Sequence, residues 1–298
     1  MRVTFNSIHQ DATAGLARAN ERLMDYQKQV STGLRISKPS DDPSATATTI
    51  VERAGIATTE RYTRAADSVG SRLSVVDTVL DDLINKLTAA QTAIMTARGT
   101  TATPATRDAA AQELLSLRDA VLDDLNTSFR DTYVFGGQAG TTKPFQKNPD
   151  GTIAPYAGAA GEVAIDIDEH RSVTIAFNGD AIAQGSDADD VFATFDAAVA
   201  AVRAGDEAGL ESAMQAFKRT FSRATEMQSR VGAGQRAVDD QKLRLTETKT
   251  AMAARVSKLE HANMAEAITG MSQADAAYQA ALGAAGKITR LSLMDYLR

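Results

Sequence analysis

The sequence predicts a mainly α-helical protein, in which a long-helix coiled-coil rod is built from the N- and C-terminal regions and carries a small central α+β insert domain. Three observations predict this class. Apolar residues recur at intervals of three and four on both sides of the centre. Aromatic residues make up only 5% and Trp is absent, which favours thin, Ala-filled helical cores. In the centre, apolar and polar residues alternate between Gly and Pro residues, as is typical of strands.

The two ends of the chain are both apolar at heptad spacing and rich in Ala. Residues 1–33 predict a helix that ends or kinks at Gly33, and residues 264–298 show the same spacing. Such a repeat puts one narrow apolar seam along a helix, and another helix has to cover it. The seam positions are Leu16, Ala19, Leu23, Tyr26 and Val30 near the start, and Met264, Ala267, Met271, Ala274, Tyr278, Ala281, Ala285 and Ile288 near the end. The termini are therefore predicted to be interaction elements of an assembly.

A loop and two long helices are predicted next. Two prolines in residues 34–43 indicate the loop, and Asp42 and Pro43 predict a helix start, with Asp42 as the N-cap and Pro43 in the first helical position. The second helix should run from Pro43 to about Arg98, a length of roughly 80 Å at 1.5 Å per residue. A third helix, from Thr106 to about Tyr133, is expected to return antiparallel after a short turn.

The central segment predicts two strands and a short helix. Apolar residues alternate with polar ones in residues 162–168 and again in residues 172–177, which indicates half-buried strands. A helix from about Ala188 to Arg203 follows, and a long helical pattern resumes at Gly209. Three domains are therefore expected. They are a terminal coiled-coil assembly domain of residues 1–42 and 263–298, a helical rod domain of residues 43–137 and 207–262, and a small α+β insert of residues 138–206.

Composition excludes several classes of function. The net charge of −6 argues against a nucleic-acid binder, which needs a basic face. Because Cys is absent, neither a disulfide framework nor a thiolate metal site is expected. No apolar window is long enough for a membrane helix. Polar residues follow Val3 and Phe5 directly, so no cleaved secretion signal is expected.

Candidate catalytic and metal-binding residues have simpler interpretations. The three histidines, His9, His170 and His261, have no partners at metal-ligand spacing. Paired aspartates such as Asp81 and Asp82 point in different directions on a helix, so they are not expected to share a proton. We therefore expect no catalytic residue, no cofactor and no metal, and the sequence does not indicate an enzyme. A secreted hydrolase in the insert and a cytosolic coiled-coil signalling protein are the rival hypotheses, and neither has a supporting motif.

Several motifs together resemble those of the flagellin superfamily. They lie at residues 29–36 and 39–43, 229–233, 276–282 and 292–297. Residues 133–137 and 143–145, together with the ending, resemble the members that join hook to filament more than they resemble filament flagellin. One departure is the segment 259–263, where His261 and Asn263 replace more acidic family residues.

The resemblance implies a structural protein of the bacterial flagellum that forms the junction between hook and filament by coiled-coil polymerisation of its termini; filament flagellin is the alternative. It implies terminal helices that are disordered in the free subunit and fold on assembly. The implied partners are copies of itself in a ring, another hook-associated protein on the hook side, flagellin on the filament side, and an export chaperone at the C-terminal region, with no nucleic acid and no membrane insertion. The implied location is extracellular, on the flagellum, after type III export from the cytoplasm without a cleaved signal peptide.

The assembly interface is hypothesised to lie on both terminal segments, while Asp42 and Pro43 are expected to act as a structural helix cap. The hypothesised interface residues are Val3, Phe5, Ile8, Leu16, Leu23, Tyr26, Val30, Tyr278, Leu282, Ile288, Leu291, Leu293 and Tyr296.

Overall fold

Seven helices and two strand pairs make up the described part of the chain. The computed structural model describes residues 5–99, 102–188 and 190–296, and within these the side chains of residues 5–9 and 288–296 are outside the description. The elements are α1 (Phe5–Thr32), α2 (Pro43–Ala97), α3 (Pro104–Leu125), β1 (Ser128–Phe129), β2 (Thr132–Tyr133), β3 (Val163–Asp168), β4 (Arg171–Ala176), α4 (Asp180–Ala183), α5 (Val191–Ala204), α6 (Glu207–Glu260) and α7 (Met264–Tyr296). The predicted mainly helical class with a small central strand region is confirmed.

The described residues form two compact units. The terminal unit comprises the described residues up to Thr58 and from Glu247 onward, and the central unit is Thr59–Thr246. Both α2 and α6 contribute residues to each unit. The finer division into three domains, with an insert of residues 138–206, stays a prediction.

The central unit has a continuous core of large apolar side chains. On α2 the apolar residues at heptad spacing are buried, including Leu73, Leu80 and Leu87, each fully shielded from solvent. Helices α3 and α5 pack against each other, and Phe195 meets Phe217 edge to face with ring centroids 4.6 Å apart. Because these side chains are large, the unit buries much apolar surface without help from another molecule.

The third helix is shorter than predicted. It ends at Leu125 rather than near Tyr133, and residues 128–133 form the β1–β2 hairpin instead. The reason is a contact that the heptad pattern does not encode: the Asn126 side chain donates to the Phe145 carbonyl at 2.9 Å and accepts from the Phe145 amide at 3.0 Å. This double hydrogen bond satisfies Asn126 outside a helix, so the chain turns there.

A buried arginine holds the strand pairs to α2. Arg72 is 6% exposed and donates to the Ile175 carbonyl at 2.6 Å, the Thr132 hydroxyl at 2.7 Å and the Tyr133 carbonyl at 3.2 Å. Burial lowers the pKa of the Arg72 guanidinium from its ordinary value. Since its acceptors lie on β2 and β4, one side chain connects both hairpins to the same helix.

Candidate assembly surface

The terminal helices α1 and α7 pack along each other but bury little. Among their described side chains, the buried apolar ones are Leu23 on α1 and Ala267 and Ala274 on α7. Two of the three are alanines, which bring the helix backbones close but remove only a small area from water. The pair therefore has a seam without a substantial core.

Close approach in this pair depends on a glycine. A Cβ placed on Gly270 would lie 2.5 Å from Cε1 of Tyr26, closer than van der Waals contact permits. Beside this contact runs a groove of about 750 Å³, lined by small, charged and polar residues of both helices. The charged side chains on its α1 side are Arg18, Arg22 and Asp25.

The hypothesised interface residues fall into four groups: buried, half-buried, exposed, and outside the description. Leu23 is buried within the α1–α7 pair, whereas Leu16, Tyr26, Val30 and Tyr278 are half-buried. Leu282 is 45% exposed. Val3 lies outside the described residues, and so do the side chains of Phe5, Ile8, Ile288, Leu291, Leu293 and Tyr296, whose backbone belongs to α1 and α7.

Further exposed apolar side chains on these helices were missed by the sequence reasoning. Met24 is 59% exposed and Ile268 is 47% exposed. Met24 directly follows the buried seam residue Leu23, and Ile268 directly follows the buried seam residue Ala267. A large apolar residue beside a heptad seam widens the stripe beyond what one partner helix covers, and this signal could have found them.

The linker at residues 33–42 is organised by two aspartates. Asp41 Oδ2 accepts the amides of Ser37 at 3.0 Å and Lys38 at 2.9 Å. Asp42 Oδ1 accepts the Ala45 amide at 3.0 Å, where α2 begins with Pro43. These backbone hydrogen bonds to the charged form lower the pKa of both carboxyls below the ordinary value.

The second linker, residues 261–263 between α6 and α7, contains a helix cap that the sequence reasoning did not identify. Asn263 Oδ1 accepts the Ala265 amide at 3.2 Å, and α7 starts at Met264. Glu266 follows three residues after Asn263, the spacing of a capping box, and this pattern could have revealed the start of α7. Thus the departure from the resembled family at Asn263 has a local structural role.

The described residues include neither a metal-ligating cluster nor a membrane-spanning helix. No group of three or more His, Asp or Glu residues in the described ranges is placed to hold a metal ion. None of the helices in the described part combines the length and the apolar character that crossing a bilayer requires. Long helices, a well-packed core in the central unit and a thinly packed pair of terminal helices together are typical of a helical structural protein.

Comparison with known proteins specifies this class. The signature of the bacterial flagellin N-terminal helical region matches residues 3–139, and that of the bacterial flagellin C-terminal helical region matches residues 214–297. The chain belongs to the bacterial flagellin family. It is a structural component of the bacterial flagellum and not an enzyme.

Named relatives point to one branch of the family. The chain is 30% identical to flagellar hook-associated protein 3 of Escherichia coli over 236 residues, covering 74% of this chain and 73% of that protein. Its identity to flagellar hook-associated protein 3 of Salmonella typhimurium is 26% over the same length and coverage.

Two solved structures share the fold. Xanthomonas campestris FlgL has a TM-score of 0.61 at 16% identity, covering 69% of this chain and 99% of that one. The flagellar junction protein FlgL from Legionella pneumophila has a TM-score of 0.59 at 13% identity, covering 72% and 100%.

Proposed function

We propose that this chain forms the junction between hook and filament by association of its terminal helices with those of further copies. The single observation that carries the proposal is the α1–α7 pair, which packs on small residues and leaves large apolar side chains such as Met24 and Ile268 in solvent. The 30% identity to a hook-associated protein supports the location. A ring of copies would have another hook-associated protein on its hook side and flagellin on its filament side.

The groove beside the terminal pair has the character of a helix-binding site. The small residues in its lining are Gly15, Ala19, Gly270, Ala274 and Ala277, and they let a further helix approach to the usual distance of roughly 8–10 Å between axes. We infer that a terminal helix of a neighbouring copy occupies it. Association of unlike surfaces in this way repeats around a ring and needs no two-fold symmetry.

The interface proposed from these observations includes the terminal residues of the initial hypothesis. Those are Val3, Phe5, Ile8, Leu16, Leu23, Tyr26, Val30, Tyr278, Leu282, Ile288, Leu291, Leu293 and Tyr296, and the exposed Met24 and Ile268 are added to them.

In the free subunit the terminal helices are proposed to be largely unstructured. Helical stability in proteins comes mostly from tertiary packing, and here the two helices bury little against each other. Gly283 and Gly286 in α7 weaken that helix further, each by about 1 kcal/mol relative to Ala. A chain that is unfolded at its ends suits type III export, with a chaperone covering the C-terminal region in the cytoplasm.

Deletion of residues 264–298 tests the proposal. The truncated chain is expected to keep the folded central unit and to remain soluble, because the core of that unit lies in Thr59–Thr246. Bacteria producing only this form should not attach filaments to their hooks. Normal swimming of such a strain would contradict the proposal.

A matched pair of point variants separates an effect on the proposed α7 interface from a general effect on folding. Leu282→Asp changes a 45% exposed leucine on α7, and Leu243→Asp changes a 62% exposed leucine on the central part of α6. We expect the first variant to block junction formation and the second to leave it intact. Equal behaviour of the two variants in a motility assay would contradict the assignment of the interface to α7.

Filament flagellin is the second candidate, because the chain matches both flagellin helical regions; the named relatives, both hook-associated protein 3, favour the junction instead. Purified subunits distinguish the two functions. A filament flagellin grows long filaments when seeded, whereas the junction protein should add a few layers to hook ends and stop. Long filaments composed of this chain alone would establish the alternative.

A further inference from the structure

We propose that Arg35 fastens the two linkers of the terminal unit into one clamp, which keeps the end of α1 beside the start of α7 before those helices are ordered. The two shortest backbone hydrogen bonds between the linker segments form the centre of the clamp. The Arg35 amide donates to the Glu260 carbonyl at 2.7 Å, and the Ala262 amide donates to the Gly33 carbonyl at 2.9 Å. These bonds join segments that are far apart in the sequence.

The Arg35 side chain ties the ends of two long helices to this backbone pair. Its Nη2 donates to the Leu259 carbonyl at 2.9 Å in the last turn of α6, and its Nη1 lies 3.3 Å from Oδ2 of Asp42, the residue before α2. A cation at a helix C-terminus and an anion at a helix N-terminus each complement the helix dipole. A guanidinium has several donors in one plane and can reach both acceptors together, whereas a Lys ammonium is a single point charge.

The ion pair by itself does not account for this arrangement. The Arg35 side chain is 45% exposed, and exposed ion pairs contribute little to stability. Arg35 differs from Arg53 by its contact to the Leu259 carbonyl and by the backbone hydrogen bonds beside it. The Arg53 side chain is 64% exposed, and its contact to this region is the ion pair with the Glu260 carboxylate at 2.8 Å. Arg53 is therefore a matched control that contacts the same residue without taking part in the clamp.

The clamp lies between the end of α1 and the start of α7, so it determines how easily these two helices meet. Helix α1 ends at Thr32, directly before the first linker, and α7 begins at Met264, directly after the second. Holding the linkers together removes most of the loop-closure entropy that α1 and α7 would otherwise lose when they meet. Docking of either terminal helix on a neighbouring copy then brings its partner into place, a consequence that rests on the proposed function.

Amide hydrogen exchange on the free, full-length chain tests the clamp without any assembly. In Arg35→Ala we expect the exchange of the Ala262 amide to accelerate about tenfold, since loss of a charged hydrogen-bonding group weakens the adjacent bonds. Arg35→Lys should give an intermediate rate, because it keeps the charge and loses the second contact. Arg53→Ala should leave exchange at Ala262 unchanged. Exchange at Leu73 in the central core serves as the folding control in all three variants.

Two results would overturn the clamp: unchanged exchange at Ala262 in Arg35→Ala, or equal acceleration in Arg53→Ala. Both concern the free chain, so they leave the junction function untouched. Conversely, a wild-type chain that shows protected linkers but never joins hook to filament would contradict the proposed function and leave the clamp in place.

Discussion

The central unit and the α1–α7 pair use the same heptad spacing with side chains of different size. In the central unit the repeat carries residues such as Leu73, Leu80 and Leu87, which are fully buried. In the terminal pair the described buried positions are Leu23 and two alanines. Both regions are helical, yet only the first has a core of its own. Helical periodicity therefore predicts where a helix forms, and side-chain volume determines whether it is stable alone.

The first prediction concerns the core of the central unit. Phe217→Ala removes a fully buried ring that packs on Phe195, so it should lower the free energy of unfolding by about 3–5 kcal/mol. Urea unfolding followed by circular dichroism measures the effect. Leu23→Ala in the terminal pair is the control and should leave that transition unchanged. A similar loss in both variants would mean that the pair belongs to the same cooperative core.

The second prediction concerns the attachment of the strand pairs. Arg72→Ala leaves the carbonyls of Ile175 and Tyr133 without their donor, which should lower the free energy of unfolding by about 1–3 kcal/mol. Arg61→Ala, which removes an exposed arginine from the same helix, is the control. Equal unfolding midpoints for Arg72→Ala and the parent chain would refute the role assigned to this side chain.

The third prediction concerns the thinly packed α1–α7 pair. Gly283→Ala and Gly270→Ala both raise the helix propensity of α7 by about 1 kcal/mol. A Cβ at Gly283 meets open space, whereas one at Gly270 would collide with the Tyr26 ring. Because the pair is proposed to be largely unstructured in the free chain, far-UV circular dichroism of that chain should show a similar gain in helix for both variants, whereas only Gly270→Ala should impair assembly on hooks. A gain for Gly283→Ala that is absent for Gly270→Ala would mean that Tyr26 already packs on Gly270 in the free chain.

The smallest expected effect is the pH dependence of the first linker. The pKa values of Asp41 and Asp42 are lowered from 3.8 by backbone hydrogen bonds, so the carboxylates stabilise the folded linker above their unfolded pKa. This contribution is complete at neutral pH and is lost as pH falls through the lowered folded pKa, below 3.8. Hydrogen exchange of residues 33–42 should keep its protection at pH 5. Loss of protection between pH 7 and pH 5 would contradict the assignment.

Local chemistry explains which parts of the fold the sequence predicted. The start of α2 at Pro43 follows from a cap and a proline within two residues, and the structure begins the helix there. The end of α3 was predicted wrongly because it depends on Asn126 meeting Phe145, a contact between segments 19 residues apart in the chain. The link from Arg35 to Glu260 is more distant still, and no periodicity encodes it.

The interface itself was only partly accessible to sequence reasoning. Heptad spacing indicated the faces that α1 and α7 turn toward each other, such as those of Leu23 and Ala274. It did not indicate the outward residues Met24 and Ile268, because a seam pattern describes one partner and an assembly has several. Their assignment needed the exposure that the three-dimensional structure provides.

Site-resolved hydrogen exchange of the full-length chain, free in dilute solution and after assembly on hooks, tests the central claim most directly. The account predicts fast exchange in α1 and α7 of the free chain, strong protection in Leu73 and its neighbours, and protection of both terminal helices after assembly. Limited proteolysis of the same free sample should leave a resistant fragment of about residues 40–260. Strong protection of α1 and α7 in the free chain would contradict the account.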